Sequence, residues 1–272
     1  MVDFVFFSGL VAILTLASLA AKHELLSEGG VVAALVIGLA ILWFGGWVWF
    51  LLLAAFFAIA SVATKFGEKE KEGPNKEFAK GGVRDFWQVG ANGALGALVA
   101  VVYHFFPYNI LYFAFVGIIA TVTADTIATE LGLFSRKAYL ITTFKKVRRG
   151  LSGAVSARGT TLAVFSAFLI GLSALAVNTY FKFSTISPEY LVAIATVAGT
   201  AGAMADSLMG ATIQVIFYCR KCRKETERTV HKCGRKTVFK RGLPWVTNDT
   251  VNLLSSMIGG ATGALLYTLL AG

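Results

Sequence analysis

Thr123-Ala124-Asp125-Thr126-Ile127-Ala128-Thr129-Glu130-Leu131-Gly132 ends a long apolar run and puts the carboxylate of Asp125 where hydrocarbon should surround it. A charge at that depth costs at least a few kcal/mol, so such a residue faces protein or a water-filled cavity and marks a functional site. Thr121, Asp125 and Thr129 recur at helical spacing, which sets hydroxyls beside the acid on one face. Two similar elements follow, Ala205-Asp206-Ser207 and Asn248-Asp249-Thr250. Three acids, each followed by a hydroxyl residue and each beside an apolar span, ask for a joint explanation.

Composition fixes the class around this stretch. Of 272 residues 56% are hydrophobic and only 15% charged, with the apolar residues in long runs. That describes an all-α integral membrane protein, a polytopic helical bundle forming one domain over residues 1–272. The 28 glycines fit, because membrane helices use glycine for close approach. The net charge of +10 does not indicate nucleic acid, because the basic residues sit in short loops between spans. The first run, Phe4 to Ala21, has no basic residue before it and reads as a permanent span rather than a signal peptide.

The apolar pattern predicts eight helices, near 4–21, 29–45, 46–64, 88–106, 110–129, 159–180, 190–217 and 250–271. Spans two and three are separated only by a tight corner at Gly45-Gly46, with a re-entrant pair as the alternative. Trp43, Trp47 and Trp49 around it suit a membrane interface. Six basic residues lie in Lys65 to Arg84, six in Arg136 to Arg149 and ten in Arg220 to Arg241, all on one side of an eight-span chain. The positive-inside rule makes that side cytoplasmic and leaves both termini outside, in the cell membrane. Glu68 to Asn75 reads as a mobile charged linker.

The polar constellations fall near the cytoplasmic ends of these spans. Gly199, Gly202 and Gly210 share the helical face of Asp206, open to close approach by a helix or a ligand. Arg84, Gln88 and Asn92 follow at successive i, i+4 steps, a stripe suited to phosphate or sugar, or to capping and anchoring a helix. The stretch Gly150 to Thr161, with Ser156 and Thr160, precedes span six behind Lys145, Lys146, Arg148 and Arg149. Such backbone either presents N–H groups to an anion or serves as a flexible linker. No Walker-type motif occurs. At the start of span eight, Asp249, Asn252 and Ser256 share a face beside Asn248.

The three cysteines form a separate feature in the 219–241 loop between the last two helices. Cys219 and Cys222, then His231 and Cys233, make two short-spaced pairs in the most basic loop. They suit a tetrahedral structural Zn²⁺ site, with reduced, unligated thiols as the alternative. A disulfide does not suit the cytoplasmic side.

Carboxylates at the membrane boundary beside Asn, Gln, hydroxyls and basic loops suit Mg²⁺ and phosphate, since Mg²⁺ commonly bridges one or two carboxylates to substrate phosphates. The location adds a lipid-tailed substrate lying between helices. The residues alone therefore reach a metal-dependent enzyme on a phospholipid-like or prenyl substrate.

The ordered motifs sharpen this reading: Gly-Gly-Val-Arg-Asp with Gln-Val-Gly-Ala-Asn-Gly, Ala-Asp-Thr-Ile-Ala-Thr-Glu-Leu-Gly, Gly-Ala-Val-Ser-Ala-Arg-Gly-Thr, Ala-Asp-Ser-Leu-Met-Gly-Ala and Asn-Asp-Thr-Val-Asn. Over roughly residues 30–270 the chain resembles the membrane phytyl-phosphate (polyprenyl-phosphate) kinase family, with plant, cyanobacterial and uncharacterised archaeal and animal members. That resemblance implies transfer of a nucleotide γ-phosphate, with CTP the favoured donor, to phytyl or geranylgeranyl phosphate in isoprenoid salvage. It implies Asp125, Glu130, Asp206 and Asp249 as metal- or phosphate-site acids, with Asp125, Asp206 and Asp249 central to catalysis. Arg84, Gln88, Asn92, Thr129, Asn248 and Asn252 would contact phosphates or nucleotide, with Ser156 and Thr160 behind them.

The expected partners are a prenyl phosphate, a nucleotide and membrane lipid, with a homo-oligomer left open and nucleic acid not expected. A CTP-dependent cytidylyltransferase on a lipid phosphate is the nearest competing class. An ion-coupled transporter is the next, since acids and glycine-broken helices also build ion sites. A purely structural membrane protein would leave the three acids unexplained.

Overall fold

The computed structural model of the chain describes residues 2–66, 83–183 and 187–271. The linker expected at Glu68 to Asn75 and the first glycines of the Gly-Gly-Val-Arg-Asp motif lie outside them. Among the described residues six helices are long and apolar enough to cross a membrane. The order is α1 (Val2–Lys22), α2 (Glu28–Lys65), α3 (Phe86–Phe105) and α4 (Asn109–Gly132), then the short strands β1 (Ala138–Leu140), β2 (Lys146–Val147) and β3 (Ala154–Val155). Next come α5 (Ala157–Phe181), α6 (Pro188–Thr212), β4 (Ile216–Cys219), β5 (Lys224–Thr226), β6 (Val238–Arg241) and α7 (Asn248–Ala271).

The expected corner at Gly45-Gly46 is present inside α2. Gly46 sits at φ 75°, ψ −169°, a conformation that only glycine adopts readily. A straight helix of 38 residues would run about 57 Å. Instead both ends of α2 reach Arg84. The Ser27 N–H donates to the Arg84 carbonyl at 3.0 Å, and Arg84 Nη2 donates to Thr64 Oγ1 at 3.3 Å. The helix is therefore a hairpin, and its two limbs with the other six helices make eight helical segments among the described residues.

Helix α4 is the central post, buried along most of its length and packed against α5, α6, α7 and α2. Glycine makes the close approaches possible. A Cβ at Gly202 of α6 would run into the Thr121 side chain, and one at Gly199 into Ala120. Gly117 of α4 and Gly259 of α7 meet backbone to backbone. The glycine face of Asp206 is thus filled by α4, and Gly210 lies against Gly153 of the β3 loop, so packing explains all three.

Three expectations are corrected. Trp49 is no interfacial anchor: it is fully buried against Tyr103, Tyr112 and Phe115, whereas Trp43 is exposed. Span seven stops at Thr212 instead of 217, because Ile216 to Cys219 forms a strand. A mostly apolar stretch such as Ile213 to Phe217 carries no signal that separates the end of a helix from a strand. Thirdly, the loops carry two three-stranded antiparallel sheets, ordered β2-β1-β3 and β5-β4-β6, that the sequence reading left out. Both lie on the side where α4 and α6 end and α5 and α7 begin.

Candidate active site

That side holds a polar cavity of about 250 Å³. Its walls come from the last turns of α4 and α6, the first turns of α5 and α7, the Arg149–Ser156 loop and Arg84. Asp125 of α4 and Asp206 of α6 meet there, their carboxyl groups within hydrogen-bond reach of each other. Ser255 of α7 donates to Asp206 Oδ2 at 3.2 Å. Two carboxylates side by side with a hydroxyl donor fit a hard divalent cation, which takes oxygen ligands and offsets their repulsion.

Glu130, further along α4, and Glu227, from the loop after β5, also line the cavity. The cations are Arg84 and Arg149, so four carboxylates face two guanidinium groups. Arg84 is fixed from several directions. Its backbone pairs with Leu25 and Ser27, its side chain reaches Thr64, and Glu130 faces its charge. Burial pulls its pKa below the usual arginine value, with Glu130 opposing the shift, and the group stays cationic. Arg149 Nη1 donates to the Leu133 and Ser135 carbonyls at 3.1 and 3.0 Å.

Arg84 also borders a second space, an apolar cavity of about 90 Å³ between α1, the two limbs of α2 and α3. Ile13, Ile37, Phe50 and Phe57 line it, with Asn92 beside Arg84.

Of the residues expected from sequence, Asp125, Asp206, Glu130, Arg84, Gln88, Thr129, Ser156, Thr160, Asn248 and Asn252 line the polar cavity. Asp249 does not, for a geometric reason: Asn248 and Asn252 stand one helical turn apart on the facing side, and Asp249 is rotated about 100° from Asn248. Asn92 turns to the apolar cavity instead. Two of the candidates are also caps. Gln88 and Asp85 form a reciprocal capping box at the start of α3, which occupies the Gln88 carbonyl oxygen. Ser156 caps α5 by accepting from the Gly159 N–H at 3.1 Å, and its hydroxyl also touches that of Ser135. The first turn of α5 still points its dipole at the cavity, a setting for anions.

Gln214 and Glu227 line the cavity and escaped the sequence reading of the site, whereas Arg149 and Ser152 entered it only within the basic and hydroxyl-rich stretch before span six. Gln214 is buried, and its Nε2 makes no hydrogen bond among the described residues, so a donor waits in the wall. It lay inside the overextended span seven, which hid it. Glu227 was one of two acids in a loop of ten cations, where a solvated ion pair is the ordinary reading.

The Cys/His residues come together as expected. Cys219, Cys222, His231 and Cys233 place their donor atoms within 4.8 Å of one another. A hydrogen bond from the Arg235 backbone, seconded by His231, brings the Cys233 thiol down to about 6. The Cys222 thiol, hydrogen-bonded to Cys233, is pushed up to about 11.

Comparison with known proteins gives a consistent picture. The family described as integral membrane protein DUF92 matches residues 11–260. An uncharacterized membrane protein of Methanocaldococcus jannaschii is 30% identical over 96% of this chain and 94% of its own. An uncharacterized membrane protein of Synechocystis is 32% identical over 92% and 85%. Protein VTE6, chloroplastic, of Arabidopsis thaliana is 28% identical over 89% of this chain and 65% of its own. No solved structure matches.

Proposed function

The chain belongs to the integral membrane protein family DUF92, and on that footing we propose that it is a membrane phosphotransferase: a kinase that makes a prenyl diphosphate from a prenyl monophosphate, with CTP the favoured donor. The observation that carries the reading is Arg84, which borders both a polar cavity with two facing carboxylates and an apolar cavity between helices. A molecule with a phosphate head and a hydrocarbon tail matches that pair of spaces. The motif resemblance to the phytyl-phosphate kinase family points the same way.

Charge supplies the next argument. With all four carboxylates ionised, as when Asp125 and Asp206 serve as metal ligands, the lining carries two negative charges in excess over its two guanidinium groups, so phosphates alone would be repelled. Asp125 and Asp206 would hold Mg²⁺, which would supply positive charge to offset that of the phosphate oxygens in the transition state. Arg84, Arg149, the Gln214 amide and the N-terminus of α5 then receive the remaining oxygens.

In the reaction an oxygen of the prenyl phosphate attacks the γ-phosphorus of the nucleotide. The bond from that phosphorus to the β–γ bridging oxygen breaks, and the nucleoside diphosphate leaves with its electron pair. The acceptor is already an anion, so no side chain has to take a proton. Positioning and charge stabilisation supply the rate. The loops Arg136 to Arg149 and Arg220 to Arg241 lie on the cavity side, which supports a cytoplasmic opening where nucleotide is available.

The test is purified protein with prenyl monophosphates of several lengths, each nucleoside triphosphate and Mg²⁺, followed by product mass. Nucleoside diphosphate and prenyl diphosphate are expected. Pyrophosphate with a cytidylylated lipid would replace the kinase by a cytidylyltransferase, and no product with any pair would remove the enzyme reading.

A further inference from the structure

We propose that Cys219, Cys222, His231 and Cys233 hold one structural zinc ion, and that this ion braces a wall of the polar cavity. That the cavity is an active site rests on the function proposed above; the ion and its bracing role do not.

The geometry is that of a tetrahedral site. Cys219 Sγ and Cys233 Sγ are 3.7 Å apart. Zinc–sulfur bonds of about 2.3 Å at tetrahedral angles put two sulfurs about 3.8 Å apart, whereas a disulfide needs about 2.05 Å. All four donor atoms lie within 4.8 Å of one another.

Two tight turns present them face to face. Cys219 ends β4 and Cys222 lies in the turn to β5, where Arg223 takes φ 52°. His231 and Cys233 lie in a second turn, closed by the Val230–Lys236 bridge and by Gly234 at φ 78°. His231 is buried and its Nε2 makes no hydrogen bond among the described residues, so the ring is half satisfied by protein alone.

The sheet also needs a staple. Between Ile216 and Arg241 the fully buried side chains are Ile216, Cys219, Thr226 and His231, and two of these are ligands. A segment of that size has too little apolar burial to hold itself. Its ten cations against Glu225 and Glu227 repel one another. Zn²⁺ with three thiolates and one imidazole carries a net charge of about −1, which relieves that repulsion. Thiolate softness favours zinc over magnesium or calcium, and four protein ligands leave no open position for catalysis.

The braced sheet reaches the cavity through Ser152 and Glu227, and the end of α6 through Arg241. Ser152 donates to Glu227, which ties the Gly150–Gly153 turn to the loop after β5. Arg241 of β6 donates to the Gly210 and Ala211 carbonyls and closes the end of α6.

The experiment measures metal content by elemental analysis and hydrogen exchange by mass spectrometry on the full chain in detergent. One zinc per chain is expected. Cys222→Ser should lower zinc affinity by at least ten-fold and speed exchange in 216–242 and also in 150–154. Glu227→Gln should keep the zinc yet speed exchange in 150–154. A chain that stays zinc-free after incubation with ZnCl₂ would overturn the site. Loss of zinc with unchanged exchange in 150–154 would overturn the bracing. Neither readout uses turnover, so a failed kinase assay leaves both decisions standing.

Discussion

At the scale of single residues, the proposed chemistry rests on Asp125 and Asp206. Replacing either by Asn keeps shape and removes a ligand charge, so turnover should fall about 10²-fold or more, the effect of losing one major transition-state contact. The chain should still extract and fold. Asp249→Asn should be the mildest of the three, because Asp249 stands off the cavity in the first turn of α7, where its charge favours the helix dipole. Equal losses in all three, measured as nucleoside diphosphate release, would show that the cavity does not rank these acids. Gln214→Leu removes an amide whose Nε2 finds no partner among the described residues, and should weaken phosphate binding without lowering stability. Asp125 and Asp206 were legible in sequence because a carboxylate in an apolar span breaks the rule of its surroundings. Gln214 and Glu227 broke no such rule.

At the scale of elements, the bend in α2 gives the clearest expectation. Nothing lies within 4 Å of a Cβ built at Gly46, so Gly46→Ala meets no clash and suffers only from its backbone conformation. The cost should be about 1–3 kcal/mol, read as a lower thermal midpoint in detergent. An unchanged midpoint would mean the hairpin relaxes elsewhere. The corner was readable because two glycines split an apolar run too long for one crossing. The six strands were not: each spans two to four residues, too short for alternation to register. The expected starts at 29, 88 and 159 fall one or two residues inside helices whose true beginnings are set by the caps Ser27, Asp85 and Ser156.

At the scale of the whole molecule, exposed aromatic residues mark two levels. Trp87 and Trp245 lie on the cavity side, and Tyr108 and Tyr180 on the other, as expected of rings at the two faces of a bilayer. The charge rule then predicts an orientation. In intact cells a membrane-impermeant maleimide should label Tyr108→Cys, whereas Phe144→Cys should react only after permeabilisation, with the labelled peptide identified by mass. The reverse pattern would turn the cavity outward and leave it without nucleotide. The sequence carries this expectation of sidedness because basic loops recur at every second crossing, and the labelling decides it. The sharing of Arg84 between two cavities could not be read in the sequence, because it depends on the α2 hairpin closing on a residue nineteen positions beyond its end.

Arg84 is pinned by its main chain to Leu25 and Ser27 and by its side chain to Thr64, so it has little freedom to follow a ligand. A headgroup caught there would always stop at the same depth, and the rest of the lipid would be gauged from that mark as if against a ruler. Phe50 stands toward the far end of the scale, about 20 Å along the second limb of α2 at 1.5 Å per residue. Trimming it to alanine should shift preference toward longer isoprenoids while leaving the phosphate end as it was.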